Sequence, residues 1–391
     1  MHALLAVAEE EFDALGEALS GAEDEWTWVH APSPDQARQR LNEVDGDQPF
    51  DVVVSDVGLM GSEWLHEVAE QSPMSTRLAL TDDPPQAGGL ASVALAHQCL
   101  ARRTAAEQLT RAMGAAKRWR PPSADASTLK RLTRLRSVPA LPRTHGELMG
   151  ELQEEEPNLS LIAQVIADDP AMSAKLLQLI NSPYFGVREE VASIKQAVLL
   201  LGLQTLRDLA ISHALFQAFG GRVDSGSLER LWREGHVVAA LVDRLSRHLE
   251  LDEAVRGELR LAAFVHDIGR LALLAVDAEG YADLTTLHGE ALVSAERERY
   301  GMDHAAAGAY VLDLWGLPES LVQAVYHHHR PPSDSAQWPY GWLISLAALF
   351  THTPIEALSD ETLGEWAALS EVTLERFAET CREVSAMVHG A

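Results

Sequence analysis

Brief apolar runs separated by helix-spaced polar stretches fill the first 118 residues, and after Leu129 only helical periodicity remains. Leu4–Val7, Trp26–His30, Asp51–Ser55, Arg77–Thr81 and His97–Leu100 read as strands, with helices such as Pro34–Val44 and Ser62–Glu70 between them. Strands this short and this rich in Val and Leu are the kind buried on both faces of a parallel sheet. Their alternation with helices predicts a doubly wound α/β domain of flavodoxin-like type.

The remainder is punctuated as an all-α chain. Ala112–Lys117 is helical and basic, and Pro121-Pro122-Ser123 breaks it. Asp169-Pro170 pairs a cap with a proline at the first helical position, and Asn181-Ser182-Pro183 ends that helix. Ser193-Ile194-Lys195-Gln196 has the capping-box pattern, with Gly202 as the expected stop. Asp303 is expected to cap a helix to Trp315, closed by Gly316, and Pro318-Glu319 to open the next.

Composition narrows the function. A 391-residue chain that is 47% hydrophobic has enough apolar surface for two domains with real cores. A net charge of −27 argues against nucleic acid as a general partner, because duplex binding rests on neutralising phosphates. The charge is uneven: residues 1–103 hold 19 acidic and 5 basic side chains, whereas 104–143 hold 9 basic side chains against Glu107 and Asp125. A linker segment that pairs with acidic neighbours is the leading account of that reversal, and a phosphate-binding patch is the alternative. Cys99 and Cys381 allow neither a disulfide framework nor a cysteine-built zinc site. No apolar stretch has membrane-spanning length, and Met1-His2-Ala3 runs into a strand, unlike a signal peptide. The expectation is a cytoplasmic protein with no membrane and no direct DNA contact.

The segment Asp51-Val52-Val53-Val54-Ser55-Asp56 resembles the phosphoacceptor strand of response-regulator receiver domains, over residues 1–118. The resemblance implies a two-component role: Asp56 as acceptor, Thr81 as the hydroxyl residue, and Glu9 as what remains of the acidic pair that holds Mg²⁺. Ala8 stands where the second acid is expected, and Arg102, followed by Arg103, stands at the lysine position. Losing a carboxylate removes a hard oxygen ligand for Mg²⁺, and a guanidinium does not reproduce the compact charge of lysine.

From Leu135 to Phe216 a series of motifs resembles the HDOD (HD-related output) domain of bacterial signalling proteins. The series comprises Pro139–Pro142, Asp169-Pro170 with Lys175-Leu176-Leu177, Asn181 to Gly186, and Ala197 to Gly202. The similarity continues through Leu231-Trp232, His266-Asp267 and Gly301 to Pro318. It implies a regulatory protein of three parts: the receiver-like domain (1–118), a basic linker (119–134) and an all-α domain (135–391).

More distantly, this half resembles the catalytic HD and HD-GYP phosphodiesterases. That likeness implies metal ligands at His236, His266, Asp267, His304, His328 and His329, suited to Zn, Mn or Fe. Adjacent helical residues point about 100° apart, so His266 and Asp267 can share an ion only at a helix end. The late metal-binding aspartate appears as Ala348, Arg270 replaces the expected lysine, and Arg330-Pro331-Pro332 departs from the glycine-tyrosine-proline signature. The leading expectation is therefore a signalling regulator with a non-catalytic HDOD output that binds partner proteins or a ligand, with homodimerisation among its options. The alternatives are a metal-dependent phosphodiesterase acting on cyclic dinucleotides and a nucleotide-binding module without turnover.

Overall fold

The structure, a computed structural model, describes residues 1–19, 26–43, 50–61, 63–81, 96–102, 109, 126–133, 135, 151, 157–167, 176, 191, 193–217, 219, 221–315, 317–329, 342–352, 378–379 and 381–382. In chain order the first elements are β1 (His2–Ala6), α1 (Glu9–Leu19), β2 (Thr27–His30), α2 (Pro34–Glu43), β3 (Val52–Asp56), α3 (Val57–Met60), α4 (Trp64–Gln71), β4 (Thr76–Thr81), β5 (Gln98–Ala101) and α5 (Ala126–Thr133). Helices follow: α6 (Leu159–Ala167), α7 (Ile194–Gln217), α8 (Ser225–His248), α9 (Glu253–Val265), α10 (Ile268–Val276), α11 (Ala278–Ala282), α12 (Gly289–Tyr300), α13 (His304–Leu314), α14 (Glu319–His327) and α15 (Trp342–His352). The chain divides into two compact units, 1–140 with 296–318, and 141–295 with 319–391. Glu296–Pro318 thus belongs with the α/β sheet, although the sequence reading groups it with the helical domain.

In the first unit every strand pairing is parallel and the order is β2-β1-β3-β4-β5, the flavodoxin-type order expected from the alternating pattern. Strand residues alternate between two buried clusters. Leu5, Val52, Val54, Leu78 and Leu80 meet Leu15 and Trp26 on one face, while Leu4, Val53 and Ala79 meet Leu41, Trp64, Leu65 and Val68 on the other. Each such side chain contributes roughly 1.5–3 kcal/mol on burial, which is why both parities of the strands are apolar. The Trp64 indole N–H donates to Ser55 Oγ at 2.8 Å, satisfying the polar atoms of that layer. The five expected strands each lie within two residues of their observed ends; α3 was not expected.

In the second unit α8 packs along α9, with α15 against α8 and α14 against α9. Gly235 permits the α8–α9 approach: a Cβ there would overlap the carbonyl oxygen of Phe264. Ser193 Oγ accepts from Gln196 N at 3.4 Å at the start of α7, as the capping box implies. Gly202, with φ 75° and ψ 163°, is non-helical: the first helical stretch of α7 stops there as expected, and a second begins beyond it across a kink. In the first unit Asp303 caps α13 as expected, accepting from Ala306 N at 2.8 Å. The expected signals at Asp169-Pro170, Asn181 to Pro183, Gly316 and Pro121 to Ser123 lie outside the described residues.

Candidate functional site

His266 and Asp267 occupy the break between two helices, His266 as the C-terminal cap of α9 and Asp267 as the N-terminal cap of α10. That junction lets neighbouring side chains converge. His266 Nδ1 lies 2.7 Å from the Ala263 carbonyl and His328 Nδ1 lies 2.6 Å from the Val325 carbonyl. A carbonyl only accepts, so each Nδ1 carries a proton, and in the neutral ring each Nε2 presents a lone pair. Those two Nε2 atoms stand 3.6 Å and 3.5 Å from the same oxygen, Asp267 Oδ1. Asp267, His328 and His329 also offer ligand atoms within 4.8 Å of one another.

With both rings neutral, three acceptors face one another and repel unless a cation lies among them. The spacing suits a metal, since ligands bound at about 2.1 Å in tetrahedral geometry lie roughly 3.4 Å apart. Histidines held through Nδ1 by backbone carbonyls are pre-oriented for such a role. The donor set therefore fits a divalent ion with open positions.

The other oxygen of Asp267 is already engaged. Arg270 Nη1 donates to Oδ2 at 3.0 Å and stands 3.5 Å from Glu234 Oε2. Burial works against the Arg270 charge, but the Asp267 carboxylate and its other neighbours outweigh it and hold the guanidinium above the usual arginine value. Burial pushes the Glu234 carboxyl up, with Arg270 opposing and Asp267 reinforcing the shift. Ser345 on α15 donates to the His328 carbonyl, and Ala348 follows three residues later on that helix with no side-chain donor. His236 is elsewhere in its contacts: its ring packs at 5.0 Å from Trp232 and 4.3 Å from Phe264, and it is absent from the converging group among the described residues.

His304 falls in the first unit, at the start of α13. It is 1% exposed, and Glu296 Oε2 accepts from both its backbone N–H at 2.8 Å and its Nδ1 at 2.6 Å. A metal bound by His304 would therefore take Nε2. Glu296 is fully buried and was not singled out in the sequence. It meets His304 because the chain turns at Gly301, where φ is 70°, and no residue pattern announces that reversal.

In the α/β domain Asp56 ends β3 as the resemblance implies, and it is buried. Its Oδ1 accepts from Leu59 N at 3.1 Å and from Arg102 Nη2 at 2.9 Å. Arg102 also bridges to Glu11 at 2.5 Å. Glu9 points to a different partner, 3.9 Å from His30 Nδ1, and its side chain is 73% exposed. Thr81 ends β4 and is half-buried. This set does not fit Mg²⁺: Ala8 offers no ligand, and a guanidinium already stands on the Asp56 oxygen. Glu11, not Glu9, is the acid tied to that group.

A family model for the HDOD domain matches residues 138–331. The chain carries an HDOD domain. All six histidine and aspartate candidates lie within that match, and Ala348 lies beyond it. The HDOD chain is 26% identical over 261 residues to an uncharacterised protein of Treponema pallidum (strain Nichols), which covers 63% of this chain and 49% of that one. It is also 33% identical over 61 residues to the uncharacterised protein YuxH of Bacillus subtilis (strain 168), 16% of this chain and 15% of that one. It thus spans half or less of these relatives. Among solved structures it is similar to a putative phosphohydrolase from Shewanella amazonensis SB2B, with 23% identity, a TM-score of 0.49 and coverage of 68% and 99%. It is likewise similar to an HDOD domain protein of unknown function from Geobacter sulfurreducens, with 18% identity, a TM-score of 0.43 and coverage of 73% and 89%. No helix of the described residues is long and apolar enough to cross a membrane.

Proposed function

We propose that this HDOD protein is a signalling regulator whose receiver-like α/β domain governs a helical output that works by binding, not by turnover. The observation that carries this reading is the state of Asp267. Its Oδ2 is already compensated by the buried guanidinium of Arg270, and Ala348 supplies no further carboxylate. A divalent ion held by His266, Asp267 and His328, with His329 beside them, would then lack the anionic ligands that favour tight retention. The occupants of the output surface are partner proteins or a nucleotide. In the receiver-like half, the Arg102 bridge supports a docking or relay domain in place of a phosphorylated switch.

The second reading, a metal-dependent phosphohydrolase, draws on the convergence of two Nε2 atoms on Asp267 Oδ1. A bound ion would supply Lewis-acid activation of a phosphoryl oxygen or of water. The deciding experiment is elemental mass spectrometry on full-length protein purified without chelator, paired with a cyclic-dinucleotide turnover assay. Substoichiometric metal and no turnover are expected. Near-stoichiometric zinc, manganese or iron together with turnover, both lost in His266→Ala, would replace the first reading by the second. Calorimetric titration with the same dinucleotides separates a nucleotide-binding output from a protein-binding one.

A further inference from the structure

Arg77 and His97, both 1% exposed, converge on one backbone carbonyl, that of Thr133 at the C-terminal end of α5. Arg77 Nη2 donates to it at 2.9 Å and His97 Nε2 at 2.7 Å. The tautomer follows from the rest of the ring: the Arg77 backbone N–H donates to His97 Nδ1 at 2.9 Å, so the imidazole proton must sit on Nε2. The last carbonyls of a helix carry its negative partial charge, and a guanidinium there is the natural counterpart. Burying two such donors away from water is costly unless they are spent on an acceptor, and here they fasten α5 to the β4 and β5 ends of the sheet.

Thr133 has a second side. Its hydroxyl is 2.7 Å from the Leu129 carbonyl, to which it donates, so the Tyr310 hydroxyl 2.8 Å away must donate to it. Tyr310 is 4% exposed and lies on α13, 177 residues further along the chain. Gln98 on β5 adds a parallel contact, donating to the Asp313 carbonyl of α13 at 3.2 Å. Helix α13 begins with His304 and lies inside the segment matched by the HDOD family, yet it belongs to the same compact unit as the sheet.

We infer that Thr133 is the node through which the sheet governs α13: its carbonyl answers to Arg77 and His97, its hydroxyl to Tyr310. The inference supplies the physical route for the regulation proposed above and rests on that reading for its purpose. The contacts themselves are independent of whether the output binds a protein, a nucleotide or a metal. A change at the β4–β5 end of the sheet would release the α5 terminus, and with it the hydrogen bond that holds the middle of α13.

The test is amide hydrogen exchange on the full chain, comparing wild type with Arg77→Met, which removes the guanidinium bond to the α5 terminus, and with Tyr310→Phe, which removes one hydroxyl. Coupling predicts that Arg77→Met raises exchange in α13 as well as α5, by about five- to tenfold, the equilibrium equivalent of one lost hydrogen bond. Tyr310→Phe should raise exchange at the end of α5. Faster exchange in α5 alone after Arg77→Met overturns the inference. Should Arg77→Met fail to fold, Tyr310→Phe decides: unchanged exchange at Leu129–Thr133 overturns the node. Because no ligand is used, failure here leaves the binding-output reading standing, and failure of that reading leaves this result standing.

Discussion

His266 and His328 stand edge to face, ring centroids 5.1 Å apart at 87°, each tied through Nδ1 to the carbonyl three residues before it. Two histidines at the ends of different helices thus repeat one local device and aim the same nitrogen at one carboxylate oxygen. Their roles should be interchangeable. If that convergence holds a divalent ion, zinc at ten times its dissociation constant should stabilise the wild type by about 1.4 kcal/mol. Thermal melts with and without zinc should show this rise reduced to a similar extent in His266→Ala and His328→Ala. An equal zinc shift in all three proteins would remove these nitrogens from metal binding.

The glycine beside His236 also packs on Phe264, through backbone and not through a ring. A Cβ at position 235 would collide with the Phe264 carbonyl oxygen, two residues before His266. Backbone cannot yield as a flexible side chain does, so Gly235→Ala should cost about 1–3 kcal/mol as an overpacking substitution. It should also displace the end of α9 that carries His266. Urea unfolding measures the first effect, and the zinc shift described above should shrink with it. A variant as stable as the wild type would mean that α8 and α9 separate without penalty.

Much of the fold was legible because it follows from local rules. The parallel sheet could be read from runs such as Val52-Val53-Val54, since a strand buried on both faces has no polar parity. The caps at Ser193 and Asp303 were legible because a helix start leaves donors that only certain side chains satisfy. The stop at Gly202 was legible for the same kind of reason, since its positive φ suits glycine and ends the regular helical run there. The candidate site was legible only where sequence neighbours matter, as in His266-Asp267. Glu296 on His304, Arg270 on Asp267 and the Arg77–His97 pair on Thr133 depend on turns and on long-range closure. A buried arginine or glutamate carries no mark in sequence that distinguishes it from a solvated one. His236 shows the converse: a motif position named it, and the structure surrounds it with Trp232 and Phe264.

Arg102 bears on whether Asp56 is a phosphorylation site. Its guanidinium holds Asp56 Oδ1 and Glu11 at once, so positive charge already stands on the carboxylate, in a form that cannot serve as the Lewis acid that Mg²⁺ would share between Asp56 and a phosphoryl donor. Incubation with acetyl phosphate and Mg²⁺ should leave the intact mass of the wild type unchanged. The double substitution Ala8→Asp with Arg102→Lys restores an acid and a compact cation, and should gain one phosphoryl group that Asp56→Asn abolishes. A Mg²⁺-dependent adduct on Asp56 in the wild type would show that the bridge opens.

His97 gives the α/β domain a pH dependence whose sign is fixed by its surroundings. Burial, with Arg77 adding to it and the Thr133 hydrogen bond opposing, holds its imidazole well below the usual histidine value. The unfolded chain therefore takes up a proton near pH 6.5 that the folded chain still refuses. Linkage makes the neutral ring's contribution complete above that pH. It is lost as pH falls from about 6.5 toward the lower folded value, by up to about tenfold in the folding constant per pH unit. Other titrating groups contribute their own slopes, so the informative quantity is the difference between wild type and His97→Gln, whose amide can still donate to the Thr133 carbonyl. Urea midpoints from pH 7.5 to 5 should fall more steeply in the wild type, and the gap between the two proteins should narrow or invert toward pH 5. Parallel curves would mean that His97 titrates alike in the folded and unfolded chain, and the neutral ring held by burial beside Arg77 would have to be abandoned.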